Sequence, residues 1–545
     1  MFSPKDTATP TYEELCRSFK WSVPRAYNIG VDCCDRQNPG SEALVVISED
    51  GAVATFSFGT ISQLSNRLSN ALTQIGVHRG DRVAIVLPQS LETAVAHIAT
   101  YKIGGVAVPL SVLFGPEALS FRLADSGAAV AIVDPTGLEK IESIGDSLPA
   151  LEKVVVVGDL NHSDDRIESF GNLVESGSAE FRPVATDADD PAVLIYTSGT
   201  TGPPKGALHA HRALIGHLPG FELSHDFFPH PGDRFWTPAD WAWIGGLMDA
   251  LLPSWHYGVP VVAARRKGFD PEWAIHIMAK HDVRNVFLPP TALKLLRQAE
   301  VYAGGVHLRS AMSGGEVLGE EILGWTRDSL GVTVNEIYGQ TEVNYVVGNC
   351  ASAWPVRPGS MGRPYPGNEV AILSEDGAPV ADDAVGEIAV RATTPVRFLG
   401  YWGRADATSQ KAKGDWILTG DAARREADGY LWFKGRKDDI ISSGGYRIGP
   451  SEIEECLIKH DAIAMAAVIG ASDEIRGEVI KAFVKLKEGH QPTETLKESI
   501  RDHVRQRLAS YQYPRLIEFI EDLPLTTTGK IRRADLRKLE AEQSA

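Results

Sequence analysis

In the N-terminal part of the chain, short apolar runs alternate with stretches of helical spacing. The runs are RVAIVLP at 82–88, GVAVPL at 105–110, AAVAIVD at 128–134 and KVVVVGD at 153–159. Between the first two lies SLETAVAHIATYKIGG, whose apolar residues recur at helical spacing and which stops at Gly104-Gly105. Strand, helix and strand in this order predict a βαβ unit, and hence an α/β fold with a parallel sheet. PVVAA at 260–264 and NVFLPP at 285–290 continue the pattern. From about residue 358 the texture changes. PGSMGRPYPGNEVAILSEDGAPVADDAVGEIAVRA breaks short β-type runs with Gly and Asp-Gly turns, which reads as an antiparallel region. It changes again at GRKDDIISSGGYRIGPSEIEECL (435–457), where charge and glycine cluster before a helix. Pro450 fixes the entry to that helix, and Ser451 with Glu454 reads as a capping box. Strand-like AMAAVIG and KAFVKL follow, then a helix with Leu496, Ile500, Val504 and Leu508 on one face. The expected organisation is a large domain over residues 1–436, with a β-rich subdomain at about 358–435, and a small α+β domain over 437–545.

Composition narrows the function classes. The 545 residues hold 71 acidic and 54 basic side chains, a formal charge of −17, which argues against nucleic acid or an anionic membrane as the main partner. Cys16, Cys33, Cys34, Cys350 and Cys456 form no CxxC pair and no regular framework, as in a reducing compartment. The N-terminus is polar and carries acids early, unlike a secretory signal, and no run of about 18 apolar residues occurs to span a membrane. A cytoplasmic protein is the expectation.

The first candidate for chemistry is YTSGTTGPPKG at 196–206. Gly199, Gly202 and Gly206 let backbone amides approach a ligand. Tyr196, Thr197, Ser198, Thr200 and Thr201 offer hydroxyls to phosphate oxygens, and Lys205 adds a point charge. The apolar AVLIY before it predicts a strand and HRALIGHL after it a helix. A Walker loop places Ser or Thr directly after the lysine, where this chain has Gly206, so the loop is of another kind. His209 and His211 lack the partners of a metal site and read as packing residues.

YTSGTTGPPKG resembles the phosphate loop of the adenylate-forming enzymes, the superfamily of acyl-CoA synthetases, luciferases and peptide-synthetase adenylation domains. NEIYGQTE at 335–342, LTGDAA at 418–423, GRKDDIISSGGYRI at 435–448 and PLTTTGKIRR at 524–533 match its remaining motifs in the same order. The resemblance implies a reaction between an acid and ATP that yields an acyl-adenylate and pyrophosphate, after which CoA displaces AMP. A carrier protein as acyl acceptor is the alternative. The chain ends soon after Lys530, which leaves no room for a fused carrier domain and favours CoA.

The resemblance also implies roles. Thr197, Ser198, Gly199, Thr200, Thr201, Gly202 and Lys205 would hold the phosphates, and Glu342 would be the Mg²⁺ ligand, which accounts for the missing hydroxyl after Lys205. Tyr338 would stack on adenine within the stretch Glu336, Ile337, Tyr338, Gly339, Gln340 and Thr341, opposite Gly314, Gly315 and Glu316. Asp421 and Arg436 would contact the ribose. Asp438 matches the hinge of a mobile C-terminal domain, which presents Lys530 for adenylation and then turns another face for thioester formation. Gly445 and Arg447 would serve the CoA step. For the acyl group, Gly339 stands where acetate-specific relatives carry tryptophan and so leaves room. Trp236, Trp243 and Val343 are candidate pocket residues, and the "EVN" at 342–344 departs from the Glu-Thr-Gly of many relatives. A short- or medium-chain acid is the expected substrate. Oligomeric state is open, with a homodimer one candidate, and Lys530 is a candidate target for a lysine acetyltransferase, as in some relatives.

Overall fold

A computed structural model describes residues 9–544 apart from 146–147, 159–163, 198–202, 265, 267, 444–445, 474–476, 509–511 and 527–528. The apolar runs become strands as expected. Arg82–Val86 pairs in parallel with Val106–Pro109 on one side and Val130–Val133 on the other, and Lys153–Val156 continues the sheet. Val106–Pro109 and Val130–Val133 are buried at every position, because a parallel sheet is covered on both faces. The helix Leu91–Lys102 crosses between the first pair. It starts at Ser90, whose Oγ accepts from Thr93 N at 3.2 Å.

The chain divides into two units. Met1–Thr197, Lys205–Glu369 and Ala392–Gln410 form the first, which holds two sheets of eight and nine described strands. The downstream runs do not extend the first sheet. Val261–Ala264 and Asn285–Phe287 lie in the second, parallel to Phe235–Trp236 between them. The core of that sheet is packed by Val262, Val286, Ile277, Met278 and Leu293.

The second unit comprises Ser198–Pro204, Val370–Arg391 and Lys411–Ala545. The antiparallel segment therefore groups with the C-terminal residues. Val370–Leu373, Gly386–Arg391, Trp416–Arg425 and Leu431–Arg436 form one antiparallel sheet. Ile463–Asp473 and Gly477–Leu486 form the long antiparallel pair of another. Ile500 and Val504 are buried on the helix Glu494–Arg505, with Leu496 and Leu508 packed beside them.

The expected capping box does not form. Gly449 occupies the N-cap of the helix Pro450–Ile458, and Glu454 turns inward, accepting from Val468 N at 2.8 Å and pairing with Arg533 at 2.5 Å. A half-buried arginine outcompetes the helix end for that carboxylate. No helix of the described residues is long and apolar enough to cross a membrane.

His97, on the buried helix Leu91–Lys102, packs beside Tyr101 with its Nδ1 at 3.1 Å from the hydroxyl. Burial pushes its pKa from 6.5 down to about 3. The unfolded chain thus takes up a proton as pH falls below 6.5 while the folded chain does not, so this contribution to stability is full above 6.5 and is lost on acidification. Wild-type stability should fall relative to that of His97→Gln by about 1.4 kcal/mol per pH unit below pH 6. Urea midpoints of the two proteins from pH 7 to pH 5 measure it, and parallel curves would contradict it.

Candidate active site

Lys205 opens the strand Lys205–Ala210, which runs antiparallel to Pro191–Thr197 with Thr197 opposite Lys205 and Tyr196 opposite Gly206. The glycine-rich stretch therefore joins two paired strands instead of leading into a helix. The expected helix begins later, at Ala213–Ser224. Sequence reasoning missed the intervening strand because its alternation is masked by His209, which is fully buried. Gly206 fits the strand pairing, since an added Cβ would lie 2.8 Å from Leu194 Cδ1 and 3.3 Å from Tyr196 Cζ. Ser198, Gly199, Thr200, Thr201 and Gly202 lie outside the described residues. Burial lowers the pKa of His209 to about 3 and of His211 to about 4, and His211 Nδ1 accepts from Ile29 N at 3.2 Å. Both act in packing.

YGQTE forms the end of a hairpin. Val334–Gln340 pairs antiparallel with Asn344–Gly348, and Val343 N donates to Gln340 O at 3.2 Å to close the turn. Glu342 sits in that turn and is buried. The Tyr401 hydroxyl donates to its Oε1, and Phe398 N donates to its backbone oxygen at 2.9 Å. Tyr401 also faces Lys205, whose Nζ lies 5.4 Å from its ring centroid. The short strand Gly400–Tyr401 pairs with Leu208 and Ala207 in the strand that Lys205 opens, and Trp402 N donates to Gly206 O at 2.8 Å. Residues 398–402 thus bind the lysine strand to the carboxylate turn. Nothing in the sequence reading pointed to Tyr401. The one available signal was the aromatic run FLGYW standing alone between glycine-rich β segments.

Beside the hairpin, Ser310–Gly314 runs parallel to Val334–Gln340 with Gly314 opposite Ile337. The carboxyl ends of these two strands lie side by side, the usual place for a ligand in an open α/β sheet. An added Cβ at Gly314 would sit 2.8 Å from the Ile337 carbonyl oxygen, and Gly315 has φ +101°, so both glycines are dictated by the backbone. Glu316 pairs with Lys294 at 3.3 Å. Glu336 is buried and accepts from Leu318 N at 3.3 Å, bracing the loop that carries Gly315 and Glu316. Tyr338, Gln340 and Thr341 are half-buried and Gly339 exposed, while Ile337 and Val343 point into the core.

A Cβ on Gly339 would fall 1.7 Å from the Asn344 carbonyl oxygen and 2.4 Å from Tyr345 Cα. In this hairpin the glycine lets the two strands approach closely. Trp236 is fully buried in the sheet core, with its ring edge-on to Trp273 at 6.2 Å, so it is a packing residue. Trp243 is half-buried against Phe114, with ring centroids 5.8 Å apart.

In the second unit, Asp421 and Arg436 face each other across neighbouring strands, with Nη1 at 2.8 Å from Oδ1. Gly420 has φ +76°, and its Cβ position would lie 2.8 Å from Arg436 Nη2. Asp438 lies in the single 3₁₀ turn Lys437–Asp439 that follows. Arg447 stands opposite Ser442 in the strand pair Ile441–Ser443 and Tyr446–Ile448, while Gly445 lies outside the described residues. Lys530 is exposed on a tight loop, with Thr526 N donating to Lys530 O at 2.7 Å and Lys530 N to Thr526 Oγ1 at 3.0 Å.

The model of the AMP-binding enzyme family matches residues 33–402 and that of its C-terminal domain residues 452–530, and the chain belongs to this family. It is 33% identical over 558 residues to the mitochondrial acyl-coenzyme A synthetase ACSM3 of Mus musculus, covering 98% of this chain and 95% of that one. It is also 33% identical to the acetyl-coenzyme A synthetase of Bacillus subtilis (strain 168), covering 97% of this chain and 95% of that one. Among solved structures, the anthranilate CoA ligase AuaEII in complex with anthranoyl-AMP superimposes with a TM-score of 0.84 at 29% identity, covering 96% of this chain and 99% of that one. The protein is an AMP-forming acid–CoA ligase, and enzymes of this kind use ATP, Mg²⁺ and CoA.

Tyr401→Phe keeps the ring facing Lys205 and removes the hydroxyl that donates to Glu342. Loss of a bond to a buried carboxylate should lower kcat/KM for ATP roughly tenfold. Acid-dependent ATP–pyrophosphate exchange at varied ATP measures this, and an unchanged value would contradict it.

Proposed function

We propose that the protein activates a short- or medium-chain carboxylic acid as its adenylate and transfers the acyl group to CoA. The observation that carries this reading is the fastening of Lys205 to Glu342 through Tyr401. A carboxylate oxygen attacks the α-phosphorus of ATP while the bond to pyrophosphate breaks. The two reactants are both anions, so fixed cations must offset their repulsion. Lys205 would hold the β- and γ-phosphates. Lys530, exposed on its tight loop, is suited to bridge the acid's carboxylate and the α-phosphate. Tyr338 would stack on adenine between Gly314–Glu316 and its own hairpin, and the paired Asp421 and Arg436 would take the ribose hydroxyls. Glu342 is a single carboxylate, and no group of three His, Cys, Asp or Glu gathers among the described residues. That donor set suits a Mg²⁺ ion whose other ligands are triphosphate oxygens and water, so Glu342 would hold it and the ion would neutralise phosphate charge. After pyrophosphate leaves, rotation about Asp438 would bring Arg447 and Gly445 to the thioester step, in which the CoA sulfur attacks the acyl carbon and AMP departs.

The similarity to acetyl- and ACSM-type synthetases supports an acid of short or medium chain, and an apolar pocket that separates neighbouring chain lengths by about 1–3 kcal/mol per methylene supports a range of them. Val343 and Trp243 remain the residues proposed for that pocket. Cysteines without disulfides support a cytoplasmic setting. The exposure of Lys530 makes it accessible to a lysine acetyltransferase, which would abolish its charge.

AMP release should be greatest with acids between acetate and octanoate and should depend on CoA. An assay over straight-chain acids with CoA, without it, or with a carrier protein in its place measures this. AMP formation that needs the carrier protein and ignores CoA would overturn the reading. In the same assay Lys530→Ala should lose pyrophosphate exchange and keep thioester formation from supplied acyl-adenylate, whereas equal loss of both would contradict the proposed division of labour.

A further inference from the structure

Asn344 follows the Glu342 turn and departs from the glycine that many relatives carry there. Its backbone is left-handed, φ +44°, a conformation that glycine adopts freely and other residues adopt at a cost. Its side chain is buried, 3% exposed, and does not point to solvent. The amide Nδ2 donates to Asp249 Oδ1 at 2.5 Å and lies against His217 Nδ1. Asp249 sits on the π-helical turn Leu247–Leu251 and His217 on the helix Ala213–Ser224, with His217 Nδ1 3.5 Å from Asp249 Oδ1 and 3.0 Å from Met248 O. His217 and Asp249 are themselves buried. Three separate elements therefore meet at one carboxamide.

A polar cluster placed in an apolar interior is costly unless its members are held to one another, and once held it fixes their geometry. Asn344 lies two residues after Glu342, and it pairs with Gln340, which closes the same turn. Tyr401 and Phe398 hold Glu342, while Asn344 reaches from the turn to Asp249 and His217, and the ring of the adjoining Tyr345 lies edge-on to His217 at 6.3 Å. We propose that Asn344, anchored by Asp249 and His217, is a positioning residue that sets the Glu342 carboxylate for the metal–nucleotide complex. The inference rests on the reading of Glu342 as the Mg²⁺ ligand. Partners that orient a metal ligand commonly matter about 10- to 100-fold in metal affinity.

Asn344→Gly keeps the left-handed backbone and deletes the carboxamide, so folding should survive. Asp249→Ala removes the anchor from the opposite element and serves as the second variant. Calorimetric titration of ATP with and without Mg²⁺ gives the gain in affinity due to the ion, independent of turnover. That gain should fall roughly tenfold in Asn344→Gly and in Asp249→Ala, and be kept in Asp249→Asn, whose side-chain oxygen still accepts from the amide. A gain equal to wild type in Asn344→Gly and Asp249→Ala, together with its loss in Glu342→Gln, would overturn the positioning role alone. A gain retained in Glu342→Gln would overturn the metal reading and this inference with it. If Asn344→Gly and Asp249→Ala lower thermal stability but leave the gain unchanged, the cluster is structural only and the proposal fails.

Discussion

A carboxylate can attack a triphosphate only if fixed positive charge offsets the repulsion between two anions, and that charge must be in place before either arrives. In the first unit this requirement becomes a problem of holding a lysine and the carboxylate proposed to bind the metal, far apart in sequence, at set positions. Residues 398–402 solve it mechanically. They add a strand to the one that Lys205 opens, tie the Glu342 backbone through Phe398, and bring Tyr401 between the two charged groups. The sheet around them is placed so that the strand ends carrying Gly314 and Tyr338 open beside this arrangement.

The glycines of the motifs answer to backbone approach more than to ligand size. Gly314 lets two parallel strands close on Ile337, Gly339 makes space for the Asn344 carbonyl, and Gly420 makes space for the Arg436 guanidinium. Each removes a Cβ where two segments come together, so the polar groups near them can be fixed without strain elsewhere. A substitution at these positions would move the walls of the site before it altered any contact with substrate.

Much of the architecture was legible in the sequence because it rests on local signals. Runs such as AAVAIVD and KVVVVGD are buried on both faces, so their continuous apolarity names parallel strands directly. Asp421 and Arg436, from two separate motifs, stand opposite each other across a strand pair. What escaped depends on partners distant in the chain. The strand Lys205–Ala210 carries a buried histidine that breaks its alternation, Glu454 is drawn from a helix cap by Arg533, and Trp236 fills a core. Tyr401 matters only through Glu342 and Lys205, and Asn344 only through Asp249 and His217, so neither role is written in the spacing of its own segment.

The central claim is that Lys205 and Glu342 act as one unit on the triphosphate. A double-mutant cycle of Lys205→Ala and Glu342→Gln, read as kcat/KM for ATP in acid-dependent pyrophosphate exchange, tests it most directly. The expected result is a double variant markedly more active than the product of the two single losses, because removing either group already disables the unit. Losses that multiply without any coupling would contradict it.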